Sequence, residues 1–438
     1  ETLQRTANRG SVSTGYDIGN SYKNENDNAE VMTHTYDSAP TSQKKMTISM
    51  WYKRTEVGSN IGIIEFGNDS SGDYFQIRWG RDVYGSLETY GMRFGSTNFS
   101  VGNTYGAVRD TSAFYHLVVA IDTTQGTAAN RFKVYRNGAE LGWSTDNRAT
   151  ITQNQDLALG ENGKRVVIGE GAYRYNGYIA EVNYIDGQQL SSTDFGEYDS
   201  DSGIWIPKKY TGTYGNNGFY LDFSNASDLG EDQSGNNHDF TLTNITAANQ
   251  ATDTPTNNFC TLNPLMTNAG TSNYLTITDG GTKAVNTAAA YKIANSTFGV
   301  TSGKWYWEVK ATDVNGVTAI GVTMPHYWDT DYTLGGCIYY GQTGQRYNNS
   351  SASSFGATYT DGDIISFALD MDATPPTMTV YKNNSSQGNL MSGLSIGGAG
   401  GAFLPPKEDG YFPKIVGYNA NTFECNFGGF TTFSISSA

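Results

Sequence analysis

Cysteine, histidine, charge and long apolar runs are all scarce in this chain, and each scarcity removes a class of function. The only cysteines are Cys260, Cys337 and Cys425, so at most one disulfide can form and no spacing suits a structural zinc site. Cys260 and Cys425 fall at opposite ends of the C-terminal part, where terminal strands can be neighbours. All are read as buried free thiols, with a Cys260–Cys425 bridge as the alternative. His34, His116, His238 and His326 are too scattered for a metal cluster. Charged residues make up 16% of the chain, and 28 basic against 43 acidic residues give a formal net charge of −15. That charge repels phosphate backbones and anionic lipid, so nucleic acid and membrane surfaces are not expected partners. No run of about 18 apolar residues occurs, and residues 1–20 lack the apolar stretch of a signal peptide. The chain opens on Glu1 rather than Met, as a processed or trimmed N-terminus would.

What is present favours strands. Tyr is abundant at 30 and Gly at 52, a profile of exposed strands and frequent turns. The chain also repeats itself. Ala120-Ile121-Asp122 is followed by Val134-Tyr135-Arg136-Asn137, and Ala368-Leu369-Asp370 by Val380-Tyr381-Lys382-Asn383. Both read as β-hairpins whose return strand ends in residues that tolerate positive φ. Their separation predicts an all-β protein of two sandwiches in tandem, with helix below about one residue in ten.

Met46, Ile48, Met50 and Tyr52 alternate with polar neighbours, as do Phe75, Ile77 and Trp79, then Tyr90, Met92 and Phe94, and finally Tyr178, Ala180, Val182 and Tyr184. These predict half-buried strands, while the continuous run from His116 to Ile121 predicts a central one. One short helix is expected, Ser192 to Tyr198, capped by its Ser/Thr cluster and Asp194. The expected organisation is a polar lead-in over 1–26, a first sandwich over 27–205, a connector over 206–258 and a second sandwich over 259–438. Phe219, Leu221 and Phe223 predict an extra strand for the first sandwich. Ala247 to Asn258, rich in Thr, Asn, Asp and Pro, predicts an exposed linker.

Gly303-Lys304-Trp305-Tyr306-Trp307-Glu308-Val309-Lys310, then Asp361 to Asp370, then Tyr411-Phe412-Pro413 with Asn426-Phe427-Gly428, resemble the successive signatures of a SPRY domain across roughly 265 to 430. Thr47 to Arg54, Tyr115 to Ala120, Val134 to Gly138 and Gly177-Tyr178-Ile179-Ala180-Glu181-Val182 resemble a laminin-G or concanavalin A-like jelly roll. A laminin-G-like domain, Asp232 to Asp239, Asp253 to Asn258 and then a SPRY domain is similar to structural proteins of tailed bacteriophages described as tail fibres. Such relatives usually continue past the last Asn-Phe-Gly strand, so the resemblance implies a shortened chain or a different C-terminal context. It also implies a virion-surface protein, partners among other virion proteins, a homo-oligomer with a trimer favoured, and contact with host-surface glycans. A secreted bacterial adhesin or carbohydrate-binding module would use the same folds.

Glu25-Asn26-Asp27-Asn28-Ala29-Glu30 spells the Glu-x-Asp-x-x-Glu spacing of laminarinase-type glycosidases. In that family apolar residues interleave the acids; here Asn does. A solvated stretch would neither fix the carboxylate separation nor raise one pKa, so no enzyme activity is expected. Asp228, Glu231, Asp232, Asn236 and Asp239 supply oxygens that suit calcium, with Asp228, Asp232 and Asp239 as candidate ligands, but lack the spacing of an EF-hand. A solvated turn cluster is the preferred reading, and no other cofactor is expected. Gly397 to Gly401 reads as a hairpin tip and not as a phosphate loop. The candidate glycan- or partner-binding residues are Tyr327, Trp328, Asp329, Asp331, Tyr332, Tyr340, Arg346 and Tyr347, where π faces sit beside polar groups. The alternative reading makes these aromatics ordinary core or subunit interface.

Overall fold

The computed structural model describes residues 16–25, 29–56, 61–68, 73–79, 90–94, 99–104, 107–157, 159–169, 175–266, 274–325, 336–348, 351–396, 404, 406–430 and 433. Strand accounts for 47% and helix for 6% of the chain, as the period of two requires. Residues divide into two compact units at Asn258/Phe259.

In the first unit the main sheet runs Ala139–Glu140, Phe132–Arg136, Tyr115–Asp122, Lys45–Arg54, Gly177–Asp186, Ser21–Asn24 and Gln250–Ala251, with Phe219–Leu221 also paired to Gly177–Asp186. The facing sheet runs Trp143–Asp146, Phe99–Thr104, Tyr90–Phe94, Asp73–Trp79, Ile61–Asn68, Arg165–Ile168, Val31–Thr35 and Thr241–Thr243. Met46, Ile48, Met50 and Tyr52 point into the core between them. Their strand is nevertheless buried on both faces, because Thr47, Ser49, Trp51 and Lys53 are covered as well. The expected half-burial fails there because a later segment lies over the outer face: Val118, Ile185 and Phe195 form a buried cluster with Leu190, Tyr210 and Tyr214 against it.

Several expectations need correction in this unit. The alternation Tyr178, Ala180, Val182, Tyr184 is broken by a bulge between Ala180 and Asn183, where Glu181 sits at φ 52°. The extra residue switches faces, so Ile179, Val182 and Tyr184 enter the core while Tyr178 and Ala180 do not. Ser192 to Tyr198 is no helix. Only Ser192–Asp194 turns, with Asp194 accepting from the Ser191 N–H at 2.9 Å, and Gly196–Tyr198 pairs as a strand with Trp205–Pro207. A single helical turn at Ala128–Arg131 had no clear sequence signal.

The polar flanks are not flanks. Ser21–Asn24 fills the slot between Gly177–Asp186 and Gln250–Ala251, with Tyr22 in the core. The expected linker 247–258 folds back on the first sandwich. Lys53 Nζ meets Asp253 at 2.8 Å and Asn258 Oδ1 at 2.9 Å, and both ion-pair side chains are buried. Thr254 and Thr256 are buried too, with Thr256 Oγ1 accepting from the Ile18 N–H. Hydrogen bonds and one ion pair order the segment where apolar area is lacking.

In the second unit one sheet runs Thr276–Thr278, Lys283–Asn286, Asn421–Asn426, Lys304–Val314, Ile364–Asp370, Thr377–Lys382 and Ser385–Asn389. Its partner runs Tyr291–Asn295, Phe412–Tyr418, Thr318–Thr323, Gly336–Tyr340, Gln345–Asn348 and Ser351–Ser354. Val309, Phe367, Leu369, Val380, Ile320, Val322 and Ile415 fill the space between. No disulfide joins Cys260, Cys337 or Cys425; Cys337 and Cys425 are buried, but Cys260 is only half-buried.

Candidate functional site

Tyr340 and Tyr347 lie on neighbouring strands, Gly336–Tyr340 and Gln345–Asn348, with ring centroids 5.3 Å apart. Both cover a small apolar cluster of Ile293, Ala319, Ile338 and Val416 on the sheet face opposite the core. Arg346 does not join them. As the residue next to Tyr347 in a strand it points to the other face, where its guanidinium donates to the carbonyls of Leu390 at 3.0 Å and Ser392 at 2.6 Å. It braces its strand against the turn at 390–393. Tyr327, Trp328, Asp329, Asp331 and Tyr332 lie outside the described residues.

The calcium candidates are committed to their own turn. Asp232 accepts from the N–H groups of Tyr220, Ser234 and His238, Asp239 from the Asp232 N–H, and Asp228 from the Gly230 N–H. Among the described residues no group of three metal-binding side chains converges. Glu25 and Glu30 are buried, contrary to the solvated stretch expected. The Glu30 carboxylate accepts the Glu25 N–H at 2.7 Å, and Lys23 lies 3.8 Å from the Glu25 carboxylate, so the pair closes a turn. Asn26, Asp27 and Asn28 fall outside the described residues.

Two buried polar groups in the first unit had no signal in the sequence. Ser49 Oγ lies 2.8 Å from His116 Nε2, the spacing of a nucleophile and its base. Its polarity is reversed. Trp205 Nε1–H donates to His116 Nδ1 at 3.0 Å, which makes Nδ1 the acceptor and leaves the proton on Nε2, donated to Ser49. Burial pushes the imidazole down to about 3, and Trp51 stacks on it at 4.6 Å. A ring wired this way cannot take the serine proton. The second group is Glu181 on its bulge, hydrogen-bonded by Tyr16 at 2.7 Å and Tyr220 at 2.8 Å. Burial pushes its carboxyl up to about 7, against the pull of both hydroxyls.

The second unit holds a cleft of about 270 Å³ lined by Phe298, Lys304, Trp305, Tyr306, Trp307 and Phe427, with Cys260 in its wall. Its origin is a short strand. Lys304–Val314 is paired along Lys304 to Lys310 with Ile364–Asp370, but on the other edge pairing with Asn421–Asn426 begins only at Glu308. Lys304 to Trp307 therefore have no strand on that edge among the described residues. Trp307 stacks on Phe367 at 5.0 Å, and its buried indole N–H finds no acceptor among the described residues. Tyr306 is 40% exposed, with its hydroxyl on Glu308 at 2.7 Å. Lys304 Nζ lies 3.2 Å from the Asp370 carboxylate. The stretch Gly303 to Glu308 was legible as a family signature but not as a site, because a strand's missing neighbour leaves no local trace.

Comparison with known proteins follows the same division. Residues 25–194 match the concanavalin A-like lectin/glucanases superfamily, and residues 304–430 match the SPRY domain. No curated protein sequence matches the chain. Among solved structures, the SPRY domain of human HERC1 is similar at 19% identity and a TM-score of 0.28, covering 34% of this chain and 91% of that one. A heptameric SAP-like pentraxin from Limulus polyphemus is similar at 15% identity and a TM-score of 0.29, covering 40% of this chain and 80% of that one. The chain thus carries a concanavalin A-like sandwich followed by a SPRY domain.

Proposed function

We propose that the chain is a non-enzymatic structural and adhesive component of a phage particle's exterior, a tail fibre or a head fibre or decoration protein, that touches host-surface glycans or neighbouring virion subunits. The observation that carries the adhesive part is the contrast between aromatic groups left open, Tyr306 and the Trp305 cleft, and acid–base groups closed in, His116 and Glu30. Domain order and the acidic balance of −15 support an exterior role without nucleic acid or membrane insertion. No cofactor enters this reading. The Asp228, Asp232 and Asp239 oxygens already have backbone partners, so calcium removal by a chelator should leave the melting curve unchanged.

Gold-labelled antibody against the chain should decorate intact particles at regular positions, and light scattering should find a homo-oligomer, with a trimer expected. Particles that lack the chain, or a stable monomer that needs no virion partner, would contradict the proposal. Incubation with laminarin, agarose and alginate should release no sugar; release that disappears in Glu25→Gln or Glu30→Gln would establish a glycosidase instead.

A further inference from the structure

The edge of Lys304 to Trp307, which has no neighbouring strand among the described residues, is a place where strand backbone and aromatic side chains meet in one concavity. We propose that this cleft binds a single pyranose ring, the terminal residue of a glycan; the inference rests on the adhesive reading above and gives it an address. Size comes first. At about 270 Å³ the space falls just below the range of pockets that hold drug-sized ligands, and suits one ring and not an oligosaccharide.

Chemistry narrows the class further. Trp305 and Tyr306, neighbours in a strand, project to opposite faces, but at an edge with no adjoining strand among the described residues both line the cleft. An aromatic wall suits the C–H side of a sugar. Lys304, part of the lining, holds its ammonium 3.2 Å from the Asp370 carboxylate. Neighbouring hydroxyls each give and take a hydrogen bond, so a donor and an acceptor side by side suit them. An apolar peptide anchor would fill the aromatic wall but leave that pair unused.

Cys260 gives a local readout, since it is half-buried in the cleft wall while Cys337 and Cys425 are buried controls in the same chain. Full-length protein is labelled with iodoacetamide and each cysteine is followed by mass spectrometry. The probes are methyl glycosides of glucose, galactose, mannose and N-acetylglucosamine, alongside a glycan array of the same protein. At least one glycoside should slow Cys260 labelling five-fold or more without touching the other thiols. Tyr306→Ala, at an exposed ring, should raise the half-protecting concentration roughly ten-fold, and Tyr306→Phe should not. Array binding with Cys260 labelling unchanged overturns the cleft as the site and leaves the adhesive reading standing. Protection by an aromatic peptide but by no glycoside overturns the sugar in favour of a protein anchor. Neither array binding nor protection removes both.

Discussion

The two repeated hairpins fold alike down to single hydrogen bonds, yet their surroundings differ. In the first, the Asn137 side chain accepts the His116 N–H at 2.8 Å, and in the second Asn383 accepts the Ile364 N–H at 2.9 Å. Asn137 and Gly138 have φ 47° and 86°, Asn383 and Asn384 φ 45° and 67°. Each outgoing strand then pairs with a long central strand, Lys45–Arg54 or Lys304–Val314. The difference begins one strand further on. Gly177–Asp186 spans 10 residues and pairs Lys45–Arg54 from end to end, whereas Asn421–Asn426 spans 6 and leaves Lys304 to Trp307 open. The first sandwich covers its central strand along this edge, and the second leaves a cleft beside its own. The same ladder can serve stability or binding, depending on where a neighbour stops.

Cover in the first sandwich depends most on the ion pair that holds 253–258 down. Asp253→Ala removes the carboxylate that pairs with the buried Lys53 ammonium and should cost the first sandwich about 3–5 kcal/mol, read by denaturant unfolding with hydrogen exchange at Gly177–Asp186. Exchange at Ile364–Asp370 should not change. Equal loss in both would show that the two units melt as one.

Charge at the bulge comes next. Because Glu181 holds its proton up to about 7 in the folded chain against a reference of 4.5, the associated stability is complete below pH 4.5 and is lost as pH rises through 7. Glu181→Gln should therefore be more stable than wild type at pH 8 by roughly 2–3 kcal/mol and little different at pH 4. His116 slopes the other way, its neutral-ring stability complete above about 6.5 and falling as pH drops toward 3. A flat difference between pH 4 and 8 would mean that Glu181 titrates alike in the folded and unfolded chain.

The hairpin tips offer the smallest and most symmetrical test. Trp205 lies against Gly138 and Gly196, and a Cβ at either would strike its ring. Gly138→Asn, the residue type that the second copy tolerates at Asn384, should cost about 1–3 kcal/mol by overpacking. The reverse change, Asn384→Gly, should stay within about 0.5 kcal/mol. Equal costs would mean that the turn itself, and not Trp205, sets the difference.

Both hairpins, the run His116 to Ile121 and the extra strand at Phe219–Leu221 were legible because each signal is local: alternation, a continuous apolar run, Asn at a turn. The burial of Lys53, His116 and Glu30 was not, because each depends on a segment far along the chain, Asp253, Trp205 or the return of a strand. The bulge at Glu181 carries no Gly to betray its positive φ. Of the candidate site, Tyr340 and Tyr347 do share a face, but Arg346 was assigned by nearness in sequence, which in a strand places neighbours on opposite sides.

Hydroxyl-radical footprinting of the intact chain tests the contrast most directly, because it reads covered and open aromatic rings in one sample. Trp51 and Trp205, 5% and 8% exposed, should oxidise slowly, and Tyr306, 40% exposed, should oxidise fastest of the three. Trp205 reacting as fast as Tyr306, or Tyr306 protected like Trp51, would contradict a covered central strand in the first sandwich and an open one in the second.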